Sequence, residues 1–248
     1  MTRLLVQAGA TLLAAIASAA AAETPAAVEH DLAAAGRRWD ADAAVAVLTR
    51  ARTLRRAFPT PGTALLQVRA GLLAAELLRV RYEEAAPATA GRETLGRRID
   101  AFAGEALALL PALPESSERW RMEADLVATM IRSDFRATKY EARLRAAIAK
   151  ARALDPANPR AIVSEAKPLL FAPPGHGRDY HAGIALLDHA LALEPRLEAA
   201  LLLRAFARDG LGERAAAEAD WRAALALNPD CEPARRALAG PIPAGARE

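Results

Sequence analysis

Residues 213–229 read ERAAAEADWRAALALNP, and the order of these residues decides the fold class. Ala217, Trp221 and Ala224 follow one another at spacings of four and three, which place them on one face of an α-helix. Alanine is the commonest residue at the remaining positions and no β-branched residue interrupts them. Pro229 closes the stretch, where a ring without an N–H cannot continue a helix. The pattern returns twice upstream, as YEARLRAAIAKARALDP at 140–156 and YHAGIALLDHALALEP at 180–195. Aligned on their terminal prolines, the three segments carry alanine five residues before the proline (Ala151, Ala190, Ala224). Eight residues before it they carry a large residue (Ile148, Leu187, Trp221). The run-ins are ALDP, ALEP and ALNP, and Pro195 and Pro229 are 34 residues apart.

The rest of the chain agrees with these segments. Of 248 residues, 53% are hydrophobic, 25% charged and 4% aromatic, which excludes a disordered chain and supplies ample core. Alanine accounts for 66 of them. It is the best helix former, so the composition points to an all-α protein. Thr24-Pro25, Thr60-Pro61 and Asn158-Pro159 each put a capping side chain before a proline in a first helical turn, where proline's missing donor costs nothing. The helices expected are 25–36, 40–57, 61–84, 92–110, 116–134, 138–154, 159–171, 179–193, 197–209, 213–227 and 231–239, with no strand.

The repeated segments resemble the tetratricopeptide repeat family, whose period is 34 residues. In the last unit Gly212 falls at the family's turn between helices. Ala217, Trp221 and Ala224 fall at its small, large and small packing positions, and Pro229 ends the second helix. In the unit before it, Asp179-Tyr180 sits at the turn, followed by Ile184, Leu187, Ala190 and Pro195. Gly183 replaces the usual alanine there, a small-for-small change. Small residues let two antiparallel helices approach while the large one fills the groove between units. The chain also departs from the family. Arg204 and Arg208 stand where it prefers apolar residues, and Pro156 to Pro195 is five residues too long, an excess matching the loop 172–177. Upstream, 24–59 reads as a degenerate unit with Gly36 at its turn and Pro59 at its end, and 60–115 has only helical period.

The resemblance implies an α-solenoid of about five antiparallel helix pairs with a C-terminal capping helix, 231–239. The expected organisation is an N-terminal helical region with degenerate repeats at 23–115, then repeats and cap at 116–239, then a disordered tail at 240–248. Residues 1–22, MTRLLVQAGATLLAAIASAAAA, carry one cation (Arg3), an apolar run and the A-x-A spacing of Ala20 and Ala22. That is the pattern of a cleavable signal peptide, with an uncleaved anchor as the alternative. The expected location is therefore periplasmic or secreted, with no stable membrane span after cleavage. The only cysteine, Cys231, cannot form an intramolecular disulfide in such a compartment.

Net charge is +3, from 33 cations and 30 anions, and falls to +2 if Arg3 is removed. Only Lys139, Lys150 and Lys167 among the cations are lysine. Arginine pairs are scattered along the chain with acids between them and few aromatics, which argues against a nucleic-acid partner. His176, Asp179 and His181 cluster in PPGHGRDYH, near Asp188-His189, but match no zinc spacing, and Asp179 reads as a helix cap. Glu83-Glu84 are adjacent on a helix and do not face each other. No nucleophile elbow, metalloprotease or phosphate-loop string is present. No enzyme, cofactor or metal is expected. The function implied is a scaffold or adaptor binding a protein or peptide in the cell envelope. A transport-associated or small-molecule-binding component is the alternative. Arg204 and Arg208, one turn apart on the first helix of the last unit, are the candidate partner-binding residues, suited to an acidic segment.

Overall fold

A computed structural model describes residues 23–172 and 177–240. The expected signal segment, residues 173–176 of the proline–glycine loop (His176 among them) and the tail from 241 onward lie outside the described residues. Among the described residues the chain is all-α, without a strand. The helices are α1 (Pro25–Arg37), α2 (Ala41–Ala57), α3 (Pro61–Glu84), α4 (Ala90–Leu109), α5 (Ser117–Met130), α6 (Asp134–Leu154), α7 (Pro159–Phe171), α8 (Tyr180–Leu193), α9 (Glu198–Gly210), α10 (Arg214–Leu227) and α11 (Glu232–Ala239), with a 3-10 turn at Leu110–Ala112. None of them is long and apolar enough to cross a membrane.

Side-chain caps set most of the starts. Thr24, Asp40, Thr60, Thr89, Ser116, Ser133, Asn158 and Asp179 each accept a bond from an N–H in the first turn of the helix that follows. Thr60 and Thr63 form a reciprocal capping box. Expected and observed ends differ most between α5 and α6, where the break falls at Ile131–Ser133 instead of 135–137. The last carbonyls of α5 are taken by guanidiniums, Met130 O by Arg136 Nε at 2.6 Å and Ile131 O by Arg79 Nη1 at 2.5 Å. Ser133 then caps α6.

Two glycine expectations change. Gly36 is not the turn residue of the first unit but lies inside α1, facing Leu73 at a distance that would accommodate a Cβ. The left-handed position falls to Trp39, at φ 53°, with Asp40 N donating to Ala35 O at 3.0 Å. Packing of the indole against the first core compensates for that backbone. Gly183 is not interchangeable with alanine, because a Cβ there would run into Leu170 Cδ2 and allow α7 and α8 no such close approach.

Consecutive helices pack as neighbours, and each odd-numbered helix up to α9 also touches the next odd-numbered one. Ile148, Ala151, Leu187, Ala190, Ala217, Trp221 and Ala224 are buried between helices. Pro195, Gly212 (φ 80°) and Pro229 are exposed at turns, where they direct the chain instead of packing. Apolar cores form within α1–α4, α3–α5, α5–α6 and α7–α11. None of them includes residues from both sides of the link 155–158. Lys139 and Lys150 are exposed on α6.

Candidate functional site

Residues three or four apart share a helix face, and one long contact shows which face the odd-numbered helices hold in common. Glu76 of α3 reaches past α5 to Lys167 Nζ of α7 at 3.2 Å. Val80 and Glu84 continue the Glu76 face of α3, and Leu65 precedes it by three turns. Phe171 lies one turn beyond Lys167, its ring 5.0 Å from that of Phe206 on α9, and Leu202 is one turn before Phe206. These residues define a face that α3, α7 and α9 share, termed the inner face.

Its centre is charged, around a carboxylate shielded from water. Asp125 of α5, 3% exposed, accepts from Ser164 Oγ at 2.9 Å and from Lys167 Nζ at 2.8 Å, both on α7. Arg121 bonds the other carboxylate oxygen and holds Glu118 with two bonds of 2.8 Å. Burial pushes the Asp125 carboxyl up, but the charges of Lys167 and Arg121 outweigh it and hold it below the usual carboxylate range. Burial likewise opposes the charge on Lys167, and Asp125 and Glu76 overcome it, so the ammonium sits above its ordinary value. Ser117 and Asn158 add a bond of 2.9 Å across the same seam. The seam between α5 and α7 is therefore polar where the helix contacts on either side are apolar.

The sequence reading missed this cluster. Its one local signal was Lys167, a lysine in an arginine-dominated chain, next to a Pro168 that α7 accommodates in its interior.

Arg204 and Arg208 do lie on one face of α9, but their charge is met within the chain. Arg204 grips the buried Asp220 of α10 with bonds of 2.9 and 2.6 Å and reaches Asp188 of α8 at 2.6 Å. Arg208 donates to the same Asp220 at 2.8 Å. The carboxylates that sequence spacing assigned to a partner are in α8 and α10.

A second cluster of cations, around Tyr82, is structural in the same sense. Arg92 stacks on the ring at 4.2 Å, while Arg132 and Arg136 share Asp100 at 2.8 and 2.5 Å beside an open cleft of about 350 Å³. His30, His181 and His189 are exposed, and among the described residues no group of three or more histidines, cysteines and acids is placed to hold a metal ion. Glu83 and Glu84 turn to different partners, Arg79 and Arg236. Cys231 is fully buried, and burial pushes its thiol up to about 12. No family model matches the chain, and no curated protein matches its sequence.

Proposed function

We propose that the chain is an exported scaffold, an α-solenoid similar to tetratricopeptide-repeat proteins, that holds a segment of another envelope protein on its inner face. One observation carries this reading. Leu65, Val80, Phe171 and Phe206 are large apolar side chains left exposed on the face shared by α3, α7 and α9. The other exposed large apolar residues among the described residues, Phe58, Phe135, Leu154 and Leu193, sit singly at the ends of even-numbered helices. Scattered apolar residues are ordinary on a surface, whereas several on one concave face suit apolar anchors of a partner helix or extended segment. The closed apolar pocket that a transport component would want between residues 60–135 and the C-terminal units is not favoured by what stands there. The Asp125–Lys167 ion pairs occupy that junction.

The test is capture from the native envelope, with the wild-type chain compared with Phe171→Ser/Phe206→Ser by mass spectrometry. Both side chains are exposed, so helix content should be unchanged. The double variant should lose the proteins that the wild type retains. Recovery of the same proteins by both chains would remove the inner face from consideration.

A further inference from the structure

The two ends of the helix row meet. Helix α11 belongs to the C-terminal half, with Cys231 and Ala234 fully buried in the α7–α11 core. Its other side and Leu202 and Phe206 of the inner face bound a cleft of about 520 Å³. From there Arg236 crosses to Glu84, at the end of the inner face of α3, at 2.8 Å. Asn228, just before α11, donates to the carbonyl of Arg37 at the end of α1 at 2.9 Å.

The character of these two contacts matters more than their number. Each donor has a second partner in its own half, Glu232 for Arg236 at 2.8 Å and Glu198 for Asn228 at 3.0 Å. Parting the ends therefore leaves neither donor unsatisfied, and the cost of an orphaned polar group does not arise. Arg236 and Glu84 are 63% and 53% exposed, so their attraction is weak and screened by salt. No apolar core joins α11 to α1 or α3.

We propose that α11 is a strap across the inner face, closed onto α1 and α3 in the free chain and released when a partner segment occupies that face. The strap rests on the inner-face reading above and adds its regulation. Closure ties α11 to α1 and α3 and narrows the way in for a long segment. Release widens it, with the C-terminal half, α11 included, turning on the polar seam at Asp125.

Spin labels at Ala86→Cys and Ala239→Cys in the full chain report the gap directly. Both positions are exposed, and the buried, weakly acidic Cys231 stays unlabelled under native conditions. At low ionic strength one short distance should dominate. Arg236→Glu should shift the population to longer distances, added salt should do the same in the unsubstituted background, and Glu84→Arg with Arg236→Glu should restore the short distance. A distribution that neither Arg236→Glu nor salt alters, in chains of unchanged helix content, would overturn the strap. The outcomes also separate the two readings. Distances that move while Phe171→Ser/Phe206→Ser captures its proteins normally remove the inner-face site and overturn partner-driven release with it, leaving only a salt-sensitive contact between the ends. A fixed distance with capture lost overturns the strap alone.

Discussion

One methyl group decides how closely α7 and α8 can approach. Replacing Gly183 by alanine gains about 1 kcal/mol of helix propensity, but forces the new Cβ onto the fully buried Leu170. Overpacking of a close contact costs about 1–3 kcal/mol, so Gly183→Ala should lower the denaturation midpoint, and a raised midpoint would show that Leu170 swings aside freely. Trp221 is the opposite case. Its indole is 6% exposed between α9, α10 and α11, so Trp221→Ala should cost about 3–5 kcal/mol as a large-to-small core change. Equal unfolding curves for Trp221→Ala and wild type would contradict that packing. The sequence made Trp221 legible because its helix repeats a spacing seen twice more. It took Gly183 for a small-for-small exchange with alanine, because only the neighbouring Leu170, thirteen residues away, reveals how little room a Cβ has there.

At the scale of elements, the junction of α5 with α7 depends on charge. Asp125→Ala leaves Lys167 and Arg121 without their shared carboxylate, and breaking a buried pair in this way costs about 3–5 kcal/mol. Replacing both partners, as in Asp125→Leu with Lys167→Met, should cost much less, since no unpaired charge remains. Equal losses in the two variants, read by denaturant unfolding, would contradict an ion-paired seam. The pH dependence has a definite sign. Asp125 is depressed in the fold, so its contribution is complete above the unfolded carboxyl value of about 3.9 and disappears as pH falls through the lower, folded value. Lys167 is raised, so its contribution is complete below the unfolded value of about 10.4 and is lost as pH rises through the folded one. Thermal unfolding followed across pH should show an acid limb that Asp125→Asn diminishes. Helix limits were largely legible because Thr, Asp, Ser and Asn caps are local. The α5–α6 break was less so, since one of the guanidiniums closing α5 is Arg79, 52 residues from its acceptor Ile131. The seam was hidden for the same reason, with 42 residues between Lys167 and Asp125.

For the whole molecule, the proposed export makes a simple prediction. N-terminal sequencing of the secreted chain should begin close to Glu23, and a chain that keeps Met1 would remove the envelope from the reading. Cleavage there would leave the contacts of Glu23 intact, since Glu23 clasps Arg50 of α2 at 2.7 and 3.0 Å. The arginine-rich charge pattern has a further, practical consequence. Lys139 and Lys150 are both on α6, in the even-numbered set of helices, and Lys167 is locked in the seam. Apart from the α-amine, reagents that seek primary amines thus find one helix. With the α-amine blocked, a sensor surface activated for amine coupling would grip the molecule by α6 and not by the helices that carry Phe171 and Phe206. Orientation on the chip would follow from side-chain chemistry alone, with no affinity tag.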